Sequence, residues 1–268
     1  MEPPVRVTVR TETTADRAAG RLADRIGRDA RRAVRARGRF ALVLSGGATP
    51  EPLFRRLAAG AGGPMPWACT DVFWSDERAV PPDDPRSNFG SADRLLFRPL
   101  GSRGPRVHRM LGERRPLTRA ARDYAADLAA YFGERPGRTR PPSTTFDLAV
   151  LGVGPDGHTA SIFPAAPRRP SAGGWVEVVP RAPLAPKVPR LTLTAAALAR
   201  SRAVAFLVTG AEKRRIVAAL LARPPGPRRR WPAARVVARE SVTWYLDRAA
   251  TPGRPTRPAP AATRASAP

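Results

Sequence analysis

The sequence has one cysteine in 268 residues, Cys69, two histidines, and lysine at only two of its 47 basic positions, Lys187 and Lys213. A single thiol supports neither an internal disulfide nor a cysteine metal cluster, and it fits a reducing cytoplasm. There is no unbroken apolar run of about 18 residues, the length a membrane span needs. The opening MEPPVRVTVR puts charge and proline where a signal peptide requires an apolar stretch. Neither membrane insertion nor export is expected. Acidic residues are scarce too, 22 in all, which leaves a net charge of +25. That excess invites a nucleic-acid reading. However, the arginines are scattered and lack the aromatic interleaving that stacks bases. With the heavy use of Ala, Pro and Gly they look like GC-rich coding bias, so no specific nucleic-acid partner is expected.

What the sequence does have is alternation of short β-like runs with amphipathic helical runs, the signature of a parallel sheet with crossover helices. The expected class is α/β, with a Rossmann-like, mostly parallel sheet flanked by helices. Strands are predicted at VRVTV, FALVLS, DVFWS, FDLAVLG, WVEVV and AVAFLVTG, with a further run at RLTLT. Helices are predicted from Ala15 to Arg37, from Glu51, near Asn88 to Phe97, from Arg119 to Phe132, at AEKRRIVAALLA, and at the closing SVTWYLDRAA. Thr13 and Asp16 read as a capping box for the first helix. Residues 1–250 read as a single domain. Residues 251–268, all Pro, Arg, Ala, Thr, Ser and Gly without periodicity, read as a disordered tail.

In such sheets ligands sit beyond the carboxyl ends of the strands, and four loops there are chemically unusual. SGGATP follows one strand and opens a helix. Its glycines let backbone N–H groups turn toward an anion at the helix N-terminus, and Ser45 and Thr49 add hydroxyl donors. The motif alone serves equally well as a plain turn capped by Thr49. In WSDERAVPPDDPRSNFG, Asp76, Glu77 and Arg78 read most simply as solvated charge, and Asn88 as a helix cap. Gly152, Gly154 and Gly157 spell G-x-G-x-x-G with Glu177 twenty residues on. That dinucleotide reading fails, because Pro164 cuts off the crossover helix and Pro155 removes an amide from the turn. What remains is Asp156 beside His158, either a general base with a carboxylate to orient it or a cap on a short following helix. The other histidine, His108, has no H-E-x-x-H or cysteine-rich setting, so a zinc site is not expected. TGAEKRR sets Lys213 in the first turn of a helix, where a cation opposes the dipole unless an anion meets it.

In this order, LSGGATP, VFWSDERAVPPDDPRSNF, FDLAVLGVGPDGHTASIFP, PRLTLT, LVTGAEK and WYLDRAA resemble the 6-phosphogluconolactonase family, over about Arg17 to Ala250. That family lies within the NagB/RpiA-like sugar-phosphate isomerase superfamily architecture. The resemblance implies a carboxylic ester hydrolase acting on a small sugar-phosphate lactone, 6-phospho-D-glucono-1,5-lactone, with no metal or organic cofactor. It also implies a role for each loop residue. His158 would be the general base, Asp156 its orienting carboxylate, and Arg78, held by Asp76, a binder of substrate or of developing negative charge. Ser45, Gly46, Gly47, Thr49 and Lys213, with Arg190, would hold the phosphate. Ala48 departs from the family, which often has Ser there. The related deaminase/isomerase shares the SGG and DGH loops, but it tends to read D-E-Y and A-F-N-E-P where this chain has DER and HTASIFP. A non-catalytic sensor would have lost the histidine.

Overall fold

Runs such as FALVL and AVAFLV are apolar at every position, so both faces of each strand need a cover, as in a parallel sheet between helix layers. In the computed structural model, which describes residues 5–133, 146–165, 169–170, 174–222 and 231–253, they form the middle of a seven-stranded sheet. Its strands are β1 (Arg6–Glu12), β2 (Phe40–Leu44), β3 (Thr70–Trp74), β5 (Arg106–Val107), β6 (Leu148–Leu151), β10 (Ala203–Val208) and β11 (Ser241–Asp247). The order is β1-β11-β10-β6-β2-β3-β5, and every pairing is parallel. From β2 the chain steps outward to β3, whereas from β6 it steps the other way to β10. The strand order therefore reverses between β2 and β6, and a crevice opens there.

Among the described residues, four helices of eight residues or more and three shorter ones connect the strands: α1 (Ala15–Arg37), α2 (Glu51–Ala58), α3 (Asn88–Ala92), α4 (Arg98–Leu100), α5 (Leu117–Tyr131), α6 (Ala195–Ala199) and α7 (Arg214–Leu221). A π turn, Asp93–Phe97, joins α3 to α4 within the helix expected near Asn88 to Phe97. Helix α1 matches its expected bounds, but its cap is Thr14, whose side chain accepts from the Arg17 amide. The expected box of Thr13 and Asp16 does not form, since Asp16 instead takes the Arg56 guanidinium. Gly38, at φ 72°, ends the helix in the left-handed conformation that glycine reaches without a Cβ clash. Among the described residues no helix is long and apolar enough to cross a membrane.

Two readings need correction or extension. SVTWYLDRAA is not a helix. Residues Ser241–Asp247 form β11, all seven buried and paired on both sides, by β1 and β10. Its β-branched and aromatic run suits a pleated surface, and insertion between two strands overrides the helix-favouring RAA that follows. The runs at WVEVV and RLTLT do form strands, but in a separate antiparallel sheet. There β4 (Asp76–Arg78), β9 (Arg190–Leu193), β8 (Val176–Val179) and β7 (Arg169–Pro170) pair in that order. Ser75 joins the two sheets, donating its N–H to Leu44 and accepting from Leu193. From residue 254 onward the expected tail lies outside the described residues.

Candidate functional site

The crevice at the β2/β6 reversal is walled by the loops that leave β2, β3, β6 and β10. The loop after β2 carries SGGATP. Gly47 sits at φ 93°, and a Cβ on Gly46 would fall 1.9 Å from Oδ1 of Asn88, so the loop is backbone where a side chain would collide. Pro50 occupies the cap position of α2 with no side-chain cap bond, which removes the capping role left open for Thr49. The Ser45 hydroxyl donates to the Val150 carbonyl at 2.9 Å and lies 2.8 Å from Ser75 Oγ. It ties β2 to β6 beneath the crevice, and it reaches a ligand only by exchanging that bond.

After β3, the charged triplet is folded in, contrary to the solvated reading. Asp76 is 5 % exposed and Glu77 3 %. Glu77 accepts the N–H groups of Arg78, Asn88 and Phe89 at 2.7–2.8 Å and the Ser87 hydroxyl at 3.1 Å. It thus satisfies the α3 N-terminus with charge of the favoured sign. Burial pushes its carboxyl above the ordinary range, against those donors. Ser87 is the helix cap, and Asn88 is not: its Nδ2 donates to the Asp76 carbonyl at 2.8 Å. The Asp76 carboxylate accepts from Ser75 at 3.0 Å and Ser161 at 2.6 Å, and lies 4.0 Å from Arg190. It therefore holds Arg190 rather than Arg78, whose guanidinium donates to the Arg86 carbonyl at 2.6 Å and forms no ion pair among the described residues.

Arg190 is 4 % exposed, donates to the Pro186 carbonyl at 3.0 Å, and stands over the Phe163 ring. Burial and the charge of Arg78 lower its pKa, with Asp76 opposing.

After β6, His158 Nδ1 lies 2.5 Å from Asp156 Oδ1, the same oxygen that accepts the His158 backbone N–H at 3.1 Å. With Asp156 as acceptor the Nδ1 proton is fixed there, so the neutral ring turns its Nε2 lone pair outward. Burial raises the Asp156 pKa, but the imidazole and amide of His158 outweigh it and leave the carboxyl below its ordinary value. Among the described residues no helix follows; Thr159 and Ile162 bridge instead, so His158 caps nothing there. Glycine is required at Gly154, where a Cβ would lie 2.0 Å from the imidazole, and at Gly157, at φ 82° with Trp231 2.4 Å from its Cβ position. After β10, Lys213 closes a 3-10 turn, Ala211–Lys213, ahead of α7.

These side chains converge. Ser45, Gly46, Gly47, Thr49, Asp76, Arg78, His158, Arg190 and Lys213 all line one cavity of about 300 Å³, and Asp156 stands behind His158. Three cations, one proton acceptor and a glycine-rich helix start face a volume suited to a small phosphorylated ligand. No group of three His, Cys, Asp or Glu side chains among the described residues is arranged to hold a metal. Sequence reasoning missed Ser161, Phe163 and Trp231, which anchor the histidine loop from behind. Ser161 and Phe163 lie in HTASIFP, but only the fold brings Ser161 to Asp76 and Phe163 against the imidazole.

The sequence profile described as glucosamine-6-phosphate isomerases/6-phosphogluconolactonase matches residues 13–244. The chain is 34 % identical to the 6-phosphogluconolactonase of Haemophilus influenzae, over 78 % of this chain and 85 % of that one. With the 6-phosphogluconolactonase of Synechocystis it shares 33 % identity, over 93 % and 98 %. The crystal structure of 6-phosphogluconolactonase from Thermotoga maritima superposes with a TM-score of 0.74 at 29 % identity, covering 90 % of this chain and all of that one. By profile, by identity over most of its length and by superposition, the chain belongs to the glucosamine-6-phosphate isomerase/6-phosphogluconolactonase family.

Proposed function

We propose that the protein hydrolyses 6-phospho-D-glucono-1,5-lactone to 6-phospho-D-gluconate, the second step of the oxidative pentose phosphate pathway. The observation that carries this reading is the His158–Asp156 pair, 2.5 Å apart, on the wall of the same cavity as the glycine-rich loop and Lys213. A lactone with its phosphate on Gly46, Gly47, Thr49 and Lys213 has its ester carbonyl held apart from that anchor, toward the imidazole. Nε2 takes a proton from water as the water oxygen bonds to the carbonyl carbon. The imidazolium then gives that proton to the ring oxygen as the C–O bond breaks. Asp156, kept ionised by its lowered pKa, fixes the tautomer and steadies the imidazolium. Arg78, with no carboxylate of its own, faces the charge that develops on the carbonyl oxygen or on the substrate. Arg190, braced by Asp76, adds a second fixed cation, and Ser45 joins the phosphate shell by giving up its bond to Val150.

The deaminase/isomerase reading is weaker for a specific reason. The loops after β3 and β6 read DER and HTASIFP, where that group tends to read D-E-Y and A-F-N-E-P. The test is 6-phosphogluconolactone turnover above the spontaneous background, wild type against His158→Ala. General-base catalysis is worth about 10²–10⁴-fold, and a folded mutant is expected to lose that much. A wild type without acceleration removes the lactonase reading, while an active mutant removes only the role of His158.

A further inference from the structure

A second cavity, of about 500 Å³, lies along the outer edge of the parallel sheet and shares no residue with the first. Strand β1 alternates, exposing Val7 and Val9 on one face and turning Arg6, Thr8 and Arg10 to the other. Facing them, α1 brings Arg21, Arg25 and Arg28, spaced to share one helical face. Thr243 and Tyr245 of β11 lie between the two rows. Five guanidinium groups thus border one recess. The carboxylates against them are few: Asp24 lines the cavity, Glu12 lies 3.7 Å from Arg21, and Asp29 pairs with Arg25. Arg6, Arg10 and Arg28 form no ion pair among the described residues.

The adjoining cavity toward the strand N-termini is smaller, about 160 Å³, and three of its five arginines are paired, leaving Arg6 and Arg32 without an ion pair among the described residues. There Arg37 meets Asp147 at 2.6 Å and Arg202 meets Glu240 at 2.9 Å. Five guanidinium groups against three carboxylates leave the recess net positive, and a multivalent anion relieves the remaining repulsion while taking several bidentate bonds. Two opposed rows suit a short chain of charged groups laid between them, with the Thr8 and Thr243 hydroxyls as neutral donors. A nucleic-acid strand would call for aromatic platforms, and the one aromatic here, Tyr245, is 4 % exposed.

We propose that the recess between α1 and β1 is a second anion site, taking a compact ligand with two or more linked phosphates. The proposal stands independently of the lactonase reading, because binding is read directly. Calorimetric titration of the full chain with inorganic triphosphate and with adenosine triphosphate tests it, in wild type, Arg28→Ala, Arg10→Ala/Arg28→Ala and Lys213→Ala. The expected result is binding that weakens about tenfold in Arg28→Ala, weakens further in the double variant, and persists in Lys213→Ala. Equal affinity for the two probes means that only the phosphate chain is read, and tighter nucleotide binding means that the nucleoside contributes. Arg28 is an exposed helix position, so its loss leaves the fold and the basal turnover intact. Three results overturn the proposal: triphosphate binding no tighter than that of inorganic phosphate, binding abolished by Lys213→Ala but kept by the double variant, or tighter binding of a single-stranded oligonucleotide through the same arginines.

Discussion

The cavity at the β2/β6 reversal and the recess along α1 are both lined by arginine, but they hold it in opposite ways. In the first, Arg190 is buried, fixed by a backbone carbonyl and backed by Asp76, which Ser75 and Ser161 hold in turn. In the second, Arg21 and Arg28 are exposed and their guanidinium groups are largely solvated. A fixed cation recognises one geometry with little reorganisation, which suits chemistry on a single substrate. A solvated row tolerates many anions, and its affinity falls with salt.

The largest effect that can break this contrast is expected from Arg190→Ala. Removing one partner of a buried pair strands the other, at a cost of about 3 kcal/mol in stability. Arg28→Ala, the matching truncation in the recess, is expected to change stability by less than about 0.5 kcal/mol. Chemical denaturation of the two variants measures both. Equal losses would mean that burial does not separate the two sets.

Next comes Gly154→Ala. A methyl group placed 2.0 Å from the imidazole drives His158 off its Asp156 partner while leaving the core alone. The expected result is a fall of about a hundredfold in kcat for the proposed lactonase reaction, with a smaller change in KM. Steady-state kinetics on a folded sample decides it, and an unchanged kcat would show that the ring needs no fixed seat.

Much of this was legible from local signals. Strands β2, β6 and β10 announce themselves as unbroken apolar runs, β3 by its apolar VFW and α1 by its periodicity, and the four loops follow strand ends where ligands collect. Positions decided by distant partners were not legible. Glu77 looks like surface charge until α3, eleven residues on, delivers its N-terminus to it. β11 looks helical until β1 and β10 flank it. The antiparallel sheet is written in strands short enough to have other pairings, and Trp231 supports Gly157 from 74 residues downstream. Asp156 and His158 were legible because they sit on a turn whose glycines and charge are local, whereas Asp76 and Arg78, in β4, read as solvated charge until the family resemblance gave them a role, and the supports of all four belong to the fold.

The smallest expected effect, and the one that resolves the contrast most finely, is at Asp156. Its carboxyl sits below the ordinary range because His158 stabilises the ionised form more than burial penalises it. A carboxyl with a depressed native pKa contributes stability above its unfolded value, about 3.9, and loses it as pH falls through the native one. The side chain is 31 % exposed, so solvent screening holds the contribution to less than about 1 kcal/mol. Asp156→Asn is therefore expected to be slightly less stable than wild type at pH 7 and to converge with it below about pH 4. Unfolding titrations at stepped pH read this out. Since Asn also offers its amide oxygen to Nδ1, part of the histidine's orientation survives, and kcat falls less than in Gly154→Ala. Should the two proteins stay equally separated at every pH, the Asp156–His158 contact is held by shape rather than charge, and the cavity resembles the recess more than its geometry suggests.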